Sequence, residues 1–365
     1  MQAPPAPLVL TEHRLVREVL RRPDFTVEHP FRATRQLFGP TAIDVDGPRR
    51  RRLRSHVTWF TPGRMPDWRR RVIDPAVAEL VDALPEGEPV EFMTRIAATL
   101  PTRVLLRVLG LPARDAQWVW DRLVPITDHI ETPGPPLAAV AARDELAAWV
   151  RDHLRAGPEP DGLLTLLKNS LTNPTPNPAP DPTSTPALDT DLDTAVRTAL
   201  LLLAAGTRTT AAAAGNLIVT QLRRPDLWRA VRTGRLAPAD VVRESLRWLT
   251  PLRRTVRFAT ADTTLDGTPI AQGAVVELDL AAANRDPAAF DHPDAFLPDR
   301  AGGPLMTFGT GPHACAGARL ALDELASLLA ALTHRFADAT PAPGAAVTTS
   351  GAVFHQPRTL SLVLR

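Results

Sequence analysis

Ten consecutive residues, Phe308-Gly309-Thr310-Gly311-Pro312-His313-Ala314-Cys315-Ala316-Gly317, constrain this chain more tightly than any other stretch. They contain its only cysteine, so no internal disulfide and no multi-cysteine zinc or iron–sulfur site can form. A lone cysteine is ordinarily a small buried hydrophobe. Its neighbours argue for something else. Gly309 and Gly311 permit a tight backbone reversal with φ > 0, a conformation that a Cβ resists. The helical pattern that follows begins near Ala316, which puts Cys315 at a helix N-terminus. There the free N–H groups and the helix dipole favour thiolate over thiol. Gly317 has no side chain to keep a flat ligand off the first turn.

Such a thiolate is what a haem iron needs as an axial ligand, because its electron donation promotes O–O cleavage. The rest of the composition is compatible with a large enzyme domain. At 365 residues, 44% hydrophobic and 22% charged, the chain is not disordered and can bury a sizeable core. Its 42 basic and 40 acidic residues leave a net charge of +2, without the basic excess of a nucleic-acid binder. No apolar run reaches the ~18 residues of a membrane span. The first ten residues lack the basic start and apolar length of a signal peptide. A cytoplasmic monomer is the expectation. Tyrosine is absent, so none serves as acid, base or radical relay.

The ten-residue stretch matches the signature F-G-x-G-x-H-x-C-x-G at its six fixed positions, and on it the chain resembles the cytochrome P450 family of haem-thiolate monooxygenases. The resemblance implies haem b ligated through Cys315, with Phe308, Gly309, His313 and Gly317 around it. Three further segments agree in family order. Glu244-Ser245-Leu246-Arg247 looks like the family's E-x-x-R pair, whose members share a helix face. Alone, such a pair more commonly lies on a surface; in register with Ala283-Asn284-Arg285-Asp286-Pro287 it implies that Glu244, Arg247 and Arg300 lock the cysteine loop. Ala205-Gly206-Thr207-Arg208-Thr209-Thr210 resembles the oxygen-binding A-G-x-[DE]-T-T. By that resemblance Ala205 and Gly206 make room for dioxygen, and the Thr209 hydroxyl helps deliver protons. Arg208 stands where the family has an acid and cannot relay protons as a carboxylate does, which leaves that step to water or substrate. Finally, DGPRRRRLR at residues 46–54, followed by Phe60-Thr61-Pro62, resembles the family's D-P-P-E-H-x-R-L-R. It implies that Arg54 pairs with a haem propionate and that Arg50 replaces a histidine, with Arg257 and His313 as further partners. Arginine can meet such a carboxylate bidentately. Residues 49–52 read equally as a solvated basic face, where an acidic redox protein would dock.

The resemblance covers nearly the whole chain and implies one haem-thiolate domain over residues 1–365, with haem between a long distal helix and the helix after the cysteine loop. Periodicity is in accord with a mainly α fold with small β-sheets (α+β). Thr11 is placed to cap a helix over 11–22. Further helices are expected over 50–60, 64–83, 92–109, 114–124, 136–154, 161–169, 191–222, 237–249 and 316–335. Residues 255–280 alternate as a small antiparallel sheet, and 346–365 suggest a hairpin turning at Ser350-Gly351. Residues 171–189 carry six prolines among polar residues and read as a flexible, dispensable loop. The family's first helix and strand are missing or miniature before Leu8, which implies an unusually compact member.

These features imply an oxidoreductase of specialised metabolism that takes two electrons from a ferredoxin and ferredoxin reductase. It would hydroxylate a C–H bond or couple aromatic rings oxidatively, a cross-linked peptide included. A non-catalytic haem-binding platform is the alternative of another class; Arg208 favours it and intact Thr209 opposes it. Segments 31–42, 128–136, 251–256 and 353–355 are where substrate would be recognised. Arg208, Arg253, Arg254, Phe354 and His355 are the candidate contacts. At least one of these arginines is expected to bind an anionic group of the substrate, unless Arg208 turns outward to a surface carboxylate.

Overall fold

The computed structural model describes residues 7–55, 57, 63–132, 134–158, 162–165, 167, 192–300 and 303–365. The proline-rich segment 171–189 and Phe60-Thr61-Pro62 lie outside the described residues. The architecture is mainly helical with small sheets, and it is organised around one long helix. The helices used below are α1 (His13–Val19), α2 (Ala33–Phe38), α3 (Gly47–Ser55), α4 (Met65–Trp68), α5 (Asp74–Asp82), α6 (Thr99–Leu109), α7 (Ala116–Glu131), α8 (Leu137–Ala156), α9 (Leu192–Arg223), α10 (Pro225–Arg232), α11 (Pro238–Trp248), α12 (Leu280–Ala283) and α13 (Ala318–Arg335).

The central helix α9 is rich in Ala and Leu, and its buried residues recur around the whole circumference. A helix that is apolar all round must be surrounded. Here α6, α7, α8, α11 and α13 pack on it, and a continuous core joins Leu105, Ala199, Leu203, Leu217, Leu246 and Leu328. A second, smaller core lies under a four-stranded sheet. Its order is β1 (Leu8–Leu10), β7 (Val275–Asp279), β4 (Arg254–Ala259), β2 (Phe25–Thr26), with β1 parallel to β7 and the other pairs antiparallel. A hairpin of β5 (Thr263–Leu265) and β6 (Thr268–Ile270) turns at Asp266-Gly267, both at positive φ. The third sheet orders β3 (Pro89–Glu91), β9 (Ser361–Leu364) and β8 (Ala339–Pro341).

Several boundaries differ from the sequence reading. Thr11 does not cap α1, which starts after Glu12 without a side-chain cap. The helix expected over 64–83 is interrupted by a π turn at Arg69–Ile73, just before Pro75, which has no N–H to continue the α ladder. The helix over 114–124 runs through Pro125 to Glu131, taking with it residues expected to form a substrate loop. The expected terminal hairpin reduces to a single bridge, Ser350 to Gln356, because β9 pairs with β3 and β8 instead.

One buried group has no part in these ladders. Glu324 of α13 is 2% exposed, and its Oε1 has no partner. Burial pushes its carboxyl up to about 8. Below about pH 4.5 both the folded and the unfolded chain hold this proton; between there and pH 8 only the folded chain does. Folding stability is therefore lost as pH rises through that window, by ~1.4 kcal/mol per unit from this group. Glu324→Gln is expected to melt higher than the parent protein by a margin that grows from pH 5 to pH 8. A margin independent of pH, read by calorimetry, would contradict this.

Candidate active site

The cysteine loop is built from the backbone outward. Gly309 (φ 60°) and Gly311 (φ 72°) both lie in the left-handed region, as the sequence requires. At Gly311 a Cβ would also stand 2.6 Å from the Leu20 carbonyl oxygen, so only glycine fits. The Cys315 N–H donates to the Phe308 carbonyl at 2.8 Å and closes the loop. Helix α13 begins at Ala318, two residues later than expected, with Gly317 as its cap. The backbone N–H groups of Gly317 and Ala318 bond the Cys315 sulfur. Burial pushes the thiol up, and those two N–H groups with the Arg54 guanidinium pull it back. The thiol is enclosed by protein yet open to solvent, which places it on the floor of a concavity. A Cβ at Gly309 or Gly317 would meet no atom within 4 Å, so the floor is open on both sides of the cysteine.

Glu244 and Arg247 lie in the interior, 4% and 1% exposed. Arg247 Nε and Nη2 donate to the two Glu244 oxygens at 2.9 and 2.7 Å. The remaining Arg247 donors reach the carbonyls of Asn284 (3.0 Å), Pro293 (2.7 Å) and Ala295 (2.8 Å). Arg300 joins through Nε to Glu244 (3.4 Å) and holds the carbonyls of Asp291, His292 and Ala295. The E-x-x-R pair thus organises the irregular segment 284–300. Sequence reasoning left the linking residue without a role. Asn284, fully buried, donates to Thr250 and Thr307 at 2.9 Å and accepts from the Met306 N–H at 2.8 Å. Its grip ends one residue before Phe308.

From the other side α3 holds the loop. Arg50 donates to the Pro312 carbonyl (2.6 Å) and Arg54 to the Ala314 carbonyl, one helical turn apart. Both guanidiniums therefore contact the loop backbone in this structure. His313, expected as a propionate partner, instead donates its Nε2–H to Asp46 at 2.6 Å. Burial opposes ionisation of Asp46, but bonds from His313, Thr26 and Val27 outweigh it and hold the carboxyl well below its usual range. The imidazole is lowered by burial, and by Arg257 and Arg50, against the pull of Asp46.

The same cluster carries more cation than it can pair. Arg257 is 5% exposed and contacts only neutral oxygens, the Val256 carbonyl at 2.8 Å and Thr255 Oγ1. Burial, with Arg32 adding to it, lowers this guanidinium to about 10. Arg32 lies in the 31–42 segment expected to recognise substrate. It meets Asp44 at 3.3 Å through Nε, and its buried Nη1 has no partner. A buried Arg257 that meets only neutral oxygens, and a partly buried Arg32 with one unmet nitrogen, in the same site as a solvent-open thiol, fit a flat, dianionic cofactor, and haem satisfies both requirements.

On α9, Ala205 is exposed and Thr209 partly exposed, a gap in a helix otherwise buried on nearly every side. The Thr209 hydroxyl donates back to the Ala205 carbonyl at 2.7 Å. Gly206 is placed otherwise than expected. A Cβ there would stand 2.6 Å from Leu105 Cδ1, so its missing side chain admits α6, and the open space rests with Ala205 and Thr209. Arg208 turns from the same turn towards Asp128 of α7, Nη2 to Oδ1 at 3.1 Å. That partner belongs to another helix, so periodicity along α9 gave no sign of it.

The other candidate contacts separate. Arg254 is 42% exposed and engages Glu277 and Asp279 of its own sheet, which removes it from the substrate side. Arg253 and His355 hold the 251–253 and 353–355 backbones together through 2.8 Å bonds, and each keeps a buried, unpartnered nitrogen. Phe354, 8% exposed, lies 6.0 Å from the Arg208 guanidinium.

Among the described residues no helix is long and apolar enough to cross a membrane. Residues 239–358 match the sequence model of the family described as Cytochrome P450. Over 90% of its length the chain is 30% identical to cytochrome P450 105A3 of Streptomyces carbophilus, covering 79% of that protein. It is also 30% identical to the vitamin D3 dihydroxylase of Streptomyces griseolus, over 90% of this chain and 80% of that one. Among solved structures, P450BioI in complex with an acyl carrier protein bearing hexadec-9Z-enoic acid superposes with a TM-score of 0.85. The superposition covers 98% of this chain and 91% of that one at 22% identity. CxnD, which forms a C–S bond in chuangxinmycin biosynthesis, follows at 0.84, 97%, 87% and 23%. These two likenesses speak to the fold, and the closer sequence relatives to the family. The chain belongs to the cytochrome P450 family and is a haem-dependent monooxygenase.

Proposed function

We propose that this enzyme oxidises a small molecule or peptide of bacterial specialised metabolism in the cytoplasm. It inserts one atom of dioxygen into a C–H bond and releases the other as water, consuming two electrons and two protons. The observation that carries this reading is the enclosed but solvent-open Cys315 thiol, together with Arg257 buried against neutral oxygens alone, the unmet Nη1 of Arg32, and the opening at Ala205 and Thr209. Haem bound at Cys315 supplies the activation of dioxygen. Arg257 and Arg32 hold its carboxylates, and Arg50 and Arg54 keep the loop in position. The Thr209 hydroxyl, bonded to the Ala205 carbonyl, is a proton-bearing group at the edge of the Ala205 gap. Arg208, engaged by Asp128, is a donor that cannot relay protons as a carboxylate does, so water entering at that gap carries protons inward. C–H hydroxylation is favoured by the dihydroxylase relative and by the 20-oxo-5-O-mycaminosyltylactone 23-monooxygenase of Streptomyces fradiae, 30% identical over 80% of this chain.

The test is turnover under ¹⁸O₂ with ferredoxin, its reductase and NADPH, offering macrolide lactones, sterols and N-acetylated aromatic amino acids. One ¹⁸O per product molecule is expected. Absence of both oxygen uptake and labelled product, from protein that holds haem through a thiolate, would favour the binding-platform reading.

The electron donor docks on α3. Arg50 and Arg54 turn inward, while Arg51 and Arg52 face solvent beside the cysteine loop, a basic surface suited to an acidic ferredoxin. Charge reversal at both, Arg51→Glu with Arg52→Glu, is expected to slow reduction by ferredoxin about tenfold or more at low salt. Reduction by dithionite should be unchanged. Equal slowing with both reductants would place the fault in the haem site rather than in docking.

A further inference from the structure

A cavity of about 680 Å³ lies between α7, the start of α8, Arg208 of the central helix and residues 350–358. Neither Ala205 nor Thr209 lines it, so it adjoins the oxygen-side opening without being that opening. Its size is that of a small-molecule site. Its floor is the Phe354 ring, and Pro125, Ala138 and Ala139 supply small apolar walls.

The charges in this cavity are unevenly matched. Glu131 is fully engaged, since its two oxygens accept the backbone N–H groups of Ala352 (2.7 Å), Val353 (3.1 Å) and Phe354 (2.6 Å). It pins the 350–356 turn to the end of α7 and has little left for a ligand. Asp128 touches Arg208 at one point only, and its side chain is 56% exposed. Arg208 is 15% exposed, and its Nε is buried without a partner beside the Nη2 that Asp128 uses. That edge of a guanidinium takes a carboxylate bidentately. Arg358 opens onto the same cavity, is exposed, and has no partner among the described residues.

We propose that this cavity anchors a carboxylate-bearing substrate, with Arg208 and Arg358 taking the carboxylate and Phe354 the apolar body. The assignment rests on the monooxygenase reading above. Arg208 and Thr209 are successive residues, ~3.8 Å apart at Cα, so a molecule held at Arg208 lies within a small molecule's length of the oxygen-side gap. The planar bidentate edge suits a carboxylate, and the aromatic lining suits a ring-bearing body. Asp128 becomes an internal competitor, which yields one exposed contact when ligand enters.

The probe is N-acetyl-L-tryptophan against its uncharged primary amide, titrated calorimetrically into ferric holoenzyme. The acid is expected to bind about tenfold more tightly than the amide, as loss of a charge-assisted bond implies. Arg358→Gln and Arg208→Gln should each erase most of that preference, while Asp128→Asn, by removing the competitor, should strengthen acid binding several-fold. Equal affinity for acid and amide, or a preference that survives both arginine substitutions together, overturns the anchor. Arg358 has no hydrogen-bond or ion-pair partner among the described residues, so its variant decides the matter if Arg208→Gln fails to hold haem. The carbon monoxide band of the reduced parent enzyme is read separately. A band without thiolate character overturns the monooxygenase reading, whatever the acid-to-amide ratio.

Discussion

Arg247→Ala is expected to yield protein that is largely free of haem. The side chain is buried, meets Glu244 bidentately and holds three backbone carbonyls of the 284–295 segment. Its removal leaves the Glu244 carboxylate uncompensated in the interior, which costs about 3–5 kcal/mol. The loss falls on the cysteine loop, because Asn284 positions Met306 and Thr307 and depends on the same segment. Arg247→Lys keeps the charge but cannot reach two oxygens and three carbonyls together, so it should fall between parent and alanine variant. Haem per chain, read from the Soret-to-protein absorbance ratio, and the melting temperature are the measurements. A fully loaded Arg247→Ala protein melting within about 2 °C of the parent would show that the pair does not support the loop.

Features fixed by local geometry were legible in the sequence. The cysteine loop was, because glycine at positive φ and a cysteine ahead of a helix are short-range requirements, met at Gly309, Gly311 and Gly317. Helices α9 and α11 were, because their apolar patterns are long and their ends marked; both begin or end within one residue of expectation. What could not be read depends on chain segments far apart. Asp128 lies eighty residues from Arg208, and Asp46 lies 267 from His313. No periodicity connects either pair. Gly206 shows a different limit. A small residue in an oxygen-binding motif leaves space, but which neighbour fills it is settled by how closely α6 approaches. Arg32 was hidden in a segment with no regular pattern, and only its buried, unpartnered nitrogen beside Arg257 reveals it.

Cys315→Ala is expected to have the largest effect of any single substitution in the chain. In the parent, the loop delivers sulfur with two N–H bonds from Gly317 and Ala318 and the Arg54 guanidinium nearby, all of which favour the anionic form. Burial works against them and keeps the free thiol protonated, so the thiolate is made only when a metal takes the proton's place. Alanine removes the ligand and leaves the supporting groups with nothing to support. Haem affinity should fall by more than the ~10–100-fold that loss of a group supporting a metal ligand costs. Arg54→Met, which removes one such group and a bond to the Ala314 carbonyl, should fall within that lesser range. The reduced, carbon monoxide-treated Cys315→Ala protein should lose the red-shifted Soret band typical of thiolate ligation. Oxygen-dependent turnover should vanish with it, since haem lacking the thiolate loses the electron donation that promotes O–O cleavage. A red-shifted band persisting in Cys315→Ala cannot arise from another sulfur ligand of this type, because the chain has no second cysteine. That result would force the ligand assignment to be abandoned.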